Sequence, residues 1–222
     1  MDVSDRNAAL QRLEDGGVVA VMRGADPDTV VDVATALRDG GVTAFEITAD
    51  APDATGMIAE VSASFDGSEA IVGAGTVLDG GTARDVIAAG AEFVVGPTFD
   101  PGMVETCNRY GVPVAPGAFT PTEALTAYEA GADLVKVFPA SSAGRGRLPG
   151  VARPPPQTSR TPTRGIEADN VGDYIEAGAA VVGAGSALVD DDAIAAGDFE
   201  SITEAADEFT RAVEAARAAR EE

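Results

Sequence analysis

The sequence predicts an α/β protein with a parallel sheet, closed as a (β/α)8 TIM barrel behind an N-terminal helix. Short apolar segments alternate with helical segments at intervals of about 20–25 residues, which is the rhythm of βαβ units. A phrase that ends helices recurs at Ala89-Gly90-Ala91, Ala130-Gly131-Ala132 and Ala177-Gly178-Ala179. This repetition favours a barrel of near-equivalent units over an open doubly wound sheet. The 222 residues suit a single barrel domain over 1–222.

The predicted elements follow one another with little intervening chain. An amphipathic helix over 3–16 comes first. The predicted strands are runs of apolar residues at 18–22, 44–48, 70–76, 93–97, 112–117, the segment around Lys136, and 179–185. The predicted helices between and after these strands are 26–37, 54–64, 82–89, 101–109, 121–130, 168–177, which precedes the strand at 179–185, and 199–220. Barrel closure requires one further strand between residues 141 and 166.

Residues 145–164 form an anomalous segment rich in arginine and proline. They hold five of the 14 arginines and five prolines, and not one aspartate or glutamate. A buried parallel strand needs a continuous apolar run and backbone donors. Strand seven, over about 158–163, is therefore doubtful, and we expect 145–157 to lie as an exposed irregular loop or a distorted helix. A local reading-frame shift is one hypothesis for so abrupt a change of composition.

The charge of the chain is strongly negative. It carries 37 acidic and 15 basic side chains, a net charge of −22, while 45% of its residues are hydrophobic. The acidic residues are spread along the sequence, as in proteins from a high-salt cytoplasm, where cations screen the repulsion. Nucleic acids and anionic membranes are excluded as partners on this basis. With no secretion signal in the first residues, we expect a cytoplasmic protein.

The numbers of histidine and cysteine residues limit the kinds of catalytic and metal site that the chain can form. The chain has no histidine and a single cysteine, Cys107. The absence of histidine removes histidine-based catalytic triads and the commonest ligand of transition metals. The Asp190-Asp191-Asp192 run is interpreted as a solvated helix start rather than a cation site. No metal site is therefore expected.

Lys136 is the only lysine of the chain, and it lies in the apolar stretch Leu134-Val135-Lys136-Val137-Phe138. Arginine supplies every other basic side chain, so charge alone does not explain a lysine here. A lysine amine can lose its proton and attack a carbonyl carbon, which a guanidinium cannot do. The alternative is a structural lysine that extends its head group to solvent from a strand end. The depletion of lysine elsewhere favours the nucleophile.

Polar residues stand at the ends of several predicted strands, where barrel enzymes place their catalytic groups. Period-two alternation puts Lys136 and Phe138 on one face of their strand. If Glu46 points into the barrel mouth, it faces the amine, which suits acid–base chemistry. The alternative for Glu46 is a purely structural ion pair with Lys136 or Arg23. The Gly-rich phrase at 183–186 is a weak candidate for binding phosphate on backbone donors.

Five motifs carry a family resemblance. They are Phe45-Glu46-Ile47-Thr48, Val72-Gly73-Ala74-Gly75-Thr76-Val77, Val95-Gly96-Pro97, Pro116-Gly117-Ala118-Phe119-Thr120 with Glu123, and Val135-Lys136-Val137-Phe138-Pro139-Ala140. In this order and at this spacing they resemble the class I aldolases that cleave 2-dehydro-3-deoxy-6-phosphogluconate (KDPG). The similarity covers about 18–140 and 165–206. The Gly-Ala-Gly-Thr and Lys-x-Phe-Pro-Ala phrases are its most specific parts.

The resemblance implies a barrel that is usually a homotrimer. It also implies cleavage to pyruvate and glyceraldehyde 3-phosphate through an imine on lysine, without metal or other cofactor, and it fits the gluconate and galactonate epimers equally. Lys136 becomes the Schiff-base residue and Glu46 the general acid/base, acting through water. The implied substrate contacts are Thr76, Pro97 and Phe138 around pyruvate, Gly165 and Ser186 at the phosphate end, and the basic residue Arg23.

The chain departs from the family pattern at two places. Asp50 stands where the family usually has an arginine that holds the substrate carboxylate, so this role passes to Arg23 or binding is weaker. Pro162-Thr163-Arg164-Gly165 replaces Pro-Thr-Gly-Gly, and Arg164 crowds the phosphate site unless its guanidinium itself takes the phosphate. Two other functions therefore stay open: a catalytically impaired barrel that binds sugar phosphates, and a sugar-phosphate isomerase or decarboxylase that forms no imine.

Overall fold

Parallel strands build a TIM-like barrel, as the alternation of apolar and helical segments predicts. The computed structural model describes residues 3–67, 69–143 and 159–221. The ladders between named strands in these residues are parallel. The strands are β1 Val18–Met22, β2 Ala44–Thr48, β3 Ile71–Gly75, β4 Phe93–Val95, β5 Val114–Ala115, β6 Gly117–Ala118, β7 Leu134–Val137, β8 Ser159–Pro162 and β9 Val182–Ala184.

Two sheets join to surround the barrel axis. The larger has the order β5-β4-β3-β2-β1-β9 and the smaller β6-β7-β8. Pro116 separates β5 from β6, but its carbonyl accepts a hydrogen bond from the Lys136 amide at 2.9 Å. These two short strands therefore act as one position in the barrel. On the other side, a parallel bridge between Thr163 and Gly183 connects the end of β8 to β9.

The first helix, α1 (Val3–Gly16), covers the N-terminal end of the barrel. Its Ala9 and Leu13 belong to a buried cluster with inward-facing side chains of the strands. Arg6 Nη2 lies 2.7 Å from Asp133 Oδ2, immediately before β7, and ties the helix to that strand. Apolar side chains fill this end of the barrel. The polar side chains of the interior lie toward the C-terminal ends of the strands.

Further helices pack on the outward faces of the strands; most of them join the larger apolar core, whereas Ala124 and Ala127 of the helix over Pro121–Glu129 form a separate small cluster with Ala118, Ala132 and Val135. They are α2 Val30–Asp39, α3 Ala54–Ser64, α4 Gly80–Ala88, α5 Pro101–Tyr110, α6 Pro121–Glu129, α7 Ala140–Ala143, α8 Val171–Glu176, α9 Asp191–Ala196 and α10 Phe199–Glu221. Asp190 caps α9 by accepting from the Ala193 amide, so the run of three aspartates is a helix start, as predicted. Across the described ranges, no helix combines the length and apolar character that a membrane span requires.

Strand β8 occupies the position that the sequence left in doubt. Its Thr161 lies opposite Lys136 in the ladder with β7. Thr161 and Thr163 are buried, and Ser159 Oγ donates to Glu14 Oε1 of α1 at 2.8 Å. A polar strand pairs here because threonine suits extended backbone and because its inward side chains border Glu46 rather than a purely apolar core. The loop expected over 145–157 lies outside the described residues.

Two helices begin later than the sequence pattern predicts. Helix α2 begins at Val30 rather than 26, because Asp26 Oδ1 accepts from the Asp28 amide at 2.9 Å. Helix α8 begins at Val171 rather than 168, and Asn170 Oδ1 accepts from the Glu167 amide at 3.1 Å. In both cases a short polar side chain holds a local turn in competition with the helix.

Candidate active site

The barrel interior brings Lys136 and Glu46 together. Lys136 Nζ lies 3.7 Å from Glu46 Oε1. Lys136 is 5% exposed and Glu46 is 3% exposed, so the amine points inward and does not reach for solvent. This rules out the solvent-directed structural lysine. The pair places a potential nucleophile beside a potential base in a site from which bulk water is largely excluded.

Gly75 on β3 makes room for the carboxylate of Glu46. A Cβ atom added to Gly75 would overlap Glu46 Oε1 and lie 2.6 Å from Glu46 Cγ. Glu46 Oε1 is buried and accepts no hydrogen bond from the described residues. Glu46, Thr161 and Thr163 are the polar side chains in the otherwise mainly apolar lining of a cavity of about 20 Å³, which is room for about one water molecule. Glu46 Oε1 is the oxygen that pairs with Lys136 Nζ at 3.7 Å, and it keeps hydrogen-bonding capacity for a water or a bound substrate.

Phe138 forms an aromatic wall beside the amine. Its ring centroid lies 5.3 Å from Lys136 Nζ and 6.0 Å from the guanidinium carbon of Arg164. Phe138 follows β7 and is half-buried, whereas Arg164 follows β8 and is exposed. Two cations therefore approach one ring from neighbouring strands, which is an attractive arrangement for an aromatic face.

Arg23, Thr76 and Asp50 form a second group at the C-terminal ends of β1, β3 and β2. Arg23 Nη1 donates to Asp50 Oδ2 at 3.2 Å, and Arg23 Nη2 donates to Thr76 Oγ1 at 3.4 Å. Thr76 directly follows Gly75 and has a φ of 58°. This group therefore adjoins the Lys136–Glu46 pair through β3, with its guanidinium in reach of an anion bound in the barrel mouth.

The other predicted site residues occupy the expected strand ends, but the structure ties them less closely to the amine. The carbonyl of Pro97, after β4, packs against Gly117 of β6. Gly165 follows β8 with a φ of 77°. Ser186 is exposed on a turn after β9 and lines a groove of about 420 Å³ with Asp190 and Asp192. Pro97, Gly165 and Ser186 are thus placed at the mouth by topology rather than by contact with Lys136.

Three buried hydroxyl groups near the site were not singled out from the sequence as site residues. They belong to Thr48, Thr161 and Thr163, which are 0%, 6% and 7% exposed. Thr48 Oγ1 has no hydrogen-bond partner among the described residues. The position of Thr48 two residues after Glu46 is a signal that period-two alternation offers, since both side chains then face inward. Thr161 and Thr163 lie in the strand whose existence the sequence left in doubt.

The fold and the site define a class: a parallel (β/α)8 barrel with a buried lysine–carboxylate pair inside it. Within residues 3–67, 69–143 and 159–221, no group of three or more histidine, cysteine, aspartate or glutamate side chains is arranged to hold a metal ion.

Comparisons with known proteins identify the family within this class. The family model described as KDPG and KHG aldolase matches residues 10–205. A 2-dehydro-3-deoxy-phosphogluconate aldolase of Treponema pallidum (strain Nichols) is 37% identical over 196 residues, which cover 88% of this chain and 91% of that protein. The chain belongs to the KDPG and KHG aldolase family.

Two solved structures extend the comparison. KDPG aldolase from Legionella pneumophila, with pyruvate captured at low pH as a covalent carbinolamine intermediate, superposes with a TM-score of 0.79 and 29% identity over 86% of this chain and 92% of that chain. A cube-shaped protein cage, designed by fusing symmetric oligomeric domains, superposes with a TM-score of 0.85 and 29% identity over 92% of this chain and 74% of that chain.

Proposed function

We propose that this protein is a class I aldolase that cleaves 2-dehydro-3-deoxy-6-phosphogluconate to pyruvate and glyceraldehyde 3-phosphate. The observation that carries the proposal is the buried Lys136 amine 3.7 Å from the Glu46 carboxylate. Membership in the aldolase family and the covalent pyruvate adduct in the Legionella relative support the same reaction. The activity is that of an aldehyde-lyase.

The reaction begins on the Lys136 amine. The amine attacks the C2 carbonyl of the substrate, and loss of one water gives a protonated imine. Removal of the proton from the C4 hydroxyl then breaks the C3–C4 bond. Its electron pair moves toward the imine nitrogen and leaves an enamine, while C4 departs as the aldehyde of glyceraldehyde 3-phosphate. A proton returned to C3 and the addition of one water to the imine release pyruvate and restore the lysine.

Glu46 suits the proton transfers of this sequence. Its Oε1 is buried, accepts no hydrogen bond from the described residues and borders a cavity with room for about one water. A carboxylate in this position can take the C4 hydroxyl proton through that water and return it to C3. The role is supported over a purely structural ion pair because Oε1 lies 3.7 Å from Lys136 Nζ without a hydrogen bond, and a buried pair that served stability alone would be expected to satisfy that oxygen.

Arg23 is the proposed partner of the substrate carboxylate. The family arginine is absent at position 50, but Arg23 is directed across the strand ends by its contacts with Asp50 and Thr76. A guanidinium held on one side by a carboxylate keeps donors free for a second anion. Thr76, Pro97 and Phe138 would then enclose the three carbons of pyruvate, and Gly165 and Ser186 would belong to the phosphate end.

The assembly and the environment of the protein are further parts of the proposal. A homotrimer is consistent with the family resemblance and with the likeness to a cage built from symmetric oligomeric domains. The net charge of −22 supports adaptation to a high-salt cytoplasm and argues against nucleic-acid or membrane partners. The full 1–222 range is proposed to form a single barrel domain.

A coupled assay tests the proposed reaction. Pyruvate released from the gluconate substrate is reduced by lactate dehydrogenase, and the oxidation of NADH is followed in molar salt. We expect turnover by the wild type and a loss of about 100-fold or more in kcat for Glu46→Gln, since a positioned general base contributes about 10²–10⁴-fold. The galactonate epimer is run in parallel. An absence of pyruvate release from both epimers would overturn the proposal.

A further inference from the structure

Arg164 adopts a backbone conformation that arginine rarely takes. Its φ is 81°, and Gly165 follows with a φ of 77°. The left-handed region suits glycine, because a Cβ atom there crowds the neighbouring backbone. The chain thus keeps the geometry of two consecutive glycines at the end of β8 while placing an arginine at the first of them. A residue held in such a conformation is a reason to look for a function.

Hydrogen bonds from α7 hold this backbone in place. The Ala140 amide donates to the Thr163 carbonyl at 2.9 Å, and the Ser141 amide donates to the Arg164 carbonyl at 3.1 Å. A Cβ atom on Gly165 would lie 2.7 Å from Ser141 Cβ, so the two segments are in close contact. The surrounding structure therefore fixes the direction in which the Arg164 side chain leaves the loop.

That direction leads back to the active site. The Arg164 guanidinium carbon lies 6.0 Å from the centroid of Phe138, and Lys136 Nζ lies 5.3 Å from the same centroid. The guanidinium carbon is thus no more than about 11 Å from the amine. Lys136 is buried beneath the mouth, whereas Arg164 is exposed at its rim. The two cations are therefore placed to bind the two ends of one extended ligand.

The proposed substrate is long enough to span this separation at its upper limit. Its C2 atom bonds to the lysine, and its phosphate is attached to C6. Bonds of about 1.5 Å give a span of roughly 7 Å from C2 to phosphorus, and a guanidinium carbon sits about 4 Å from the phosphorus of a phosphate that it binds. Arginine binds phosphate through two parallel hydrogen bonds, which a lysine or a backbone amide does not provide.

We propose that Arg164 binds the phosphate group of the substrate through its side chain, at the rim of the barrel beside Phe138. This inference rests on the proposed aldolase function and deepens it. An arginine at the rim also supplies a local positive charge in a chain whose net charge of −22 repels a phosphorylated sugar acid. The strained backbone is then retained for ligand binding and not for stability.

The variant Arg164→Gly separates the binding role of the side chain from the strain of its backbone. Relief of the strain raises stability, whereas loss of the guanidinium weakens substrate binding. Glycine suits the observed φ, so the melting temperature is expected to rise. Loss of the guanidinium is expected to raise KM for the phosphorylated substrate at least about tenfold with kcat little changed, as for the removal of a charge-assisted hydrogen-bonding group. Arg109→Ala removes an exposed arginine paired with Glu105 on α5 and serves as the control for charge alone.

Calorimetric titration with inorganic phosphate gives a second readout that needs no catalysis. We expect the wild type and Arg109→Ala to bind phosphate equally and Arg164→Gly to bind it at least about tenfold more weakly. A higher melting temperature with unchanged KM and unchanged phosphate binding would overturn the role of Arg164. Failure of the aldolase proposal would be visible separately, as an absence of turnover in the wild type, while the phosphate titration still decides the role of Arg164.

Discussion

Replacing Gly75 by alanine tests whether the position of the Glu46 carboxylate controls turnover. An added Cβ would lie 2.6 Å from Glu46 Cγ, whereas ordinary van der Waals contact begins near 3.4 Å. The Glu46 Cγ must therefore shift by about 0.8 Å, and the carboxylate, whose Oε1 overlaps the added atom, must shift further. A misplacement of about 1 Å in an active site can cost roughly 100-fold in rate. We expect kcat to fall by between about 10- and 100-fold.

Gly73→Ala is the matched control on the same strand. A Cβ added there would lie 2.5 Å from the ring of Phe93, and its three nearest atoms all belong to that ring and not to Glu46. Both variants overpack the barrel interior, at a cost of about 1–3 kcal/mol each. Thermal melts followed by circular dichroism establish the folded fraction before kcat is measured in the coupled assay. Equal losses of kcat in the two folded variants, or a Gly75→Ala enzyme within threefold of the wild type, would refute the reasoning.

Three further predictions concern charge, the single thiol and pH. With 37 acidic against 15 basic side chains, the melting temperature is expected to rise from low to molar salt as repulsion is screened; a calorimetric midpoint that stays flat or falls would contradict this. Cys107 is 0% exposed and burial raises the pKa of its thiol to about 12, so we expect an aromatic disulfide reagent to label it only in guanidinium and not in the native protein. The backbone amides of Phe119 and Thr120 hold the pKa of Glu123 below its ordinary value, so its carboxylate stabilises the fold above the unfolded-state pKa and loses this effect as pH falls through the folded-state pKa. The difference in melting temperature between the wild type and Glu123→Gln should therefore shrink below about pH 4, and a pH-independent difference would contradict the assignment.

Period-two alternation predicts which residues of a strand face the barrel interior, because successive side chains point to opposite faces of the sheet. It places Lys136 and Glu46 in the interior, and the structure brings them to 3.7 Å. It could not supply the close approach of Gly75 to Glu46, which depends on the register between β2 and β3. Local helix propensity likewise missed the late start of α2, because that boundary depends on one hydrogen bond that Asp26 Oδ1 accepts from the Asp28 amide.

The structure of the chain over 159–164 could not be predicted from the sequence. Composition alone argued against a strand near 158–163, yet Ser159–Pro162 pairs with β7 because its partners, and not its own apolar content, provide the ladder. The positive φ of Arg164 also depends on hydrogen bonds that the amides of Ala140 and Ser141 donate to the carbonyls of Thr163 and Arg164. Contacts between segments that are distant in sequence therefore decide this part of the site.

Covalent trapping tests the central claim most directly. The protein is incubated with pyruvate and reduced with borohydride, and the modified peptide is located by mass spectrometry. We expect one adduct, on the peptide that contains Lys136. Lys136→Arg should keep its circular dichroism spectrum but lose trapping and turnover together, because a guanidinium cannot form the imine. Labelling confined to the N-terminal amine, or turnover that survives in Lys136→Arg, would contradict the account.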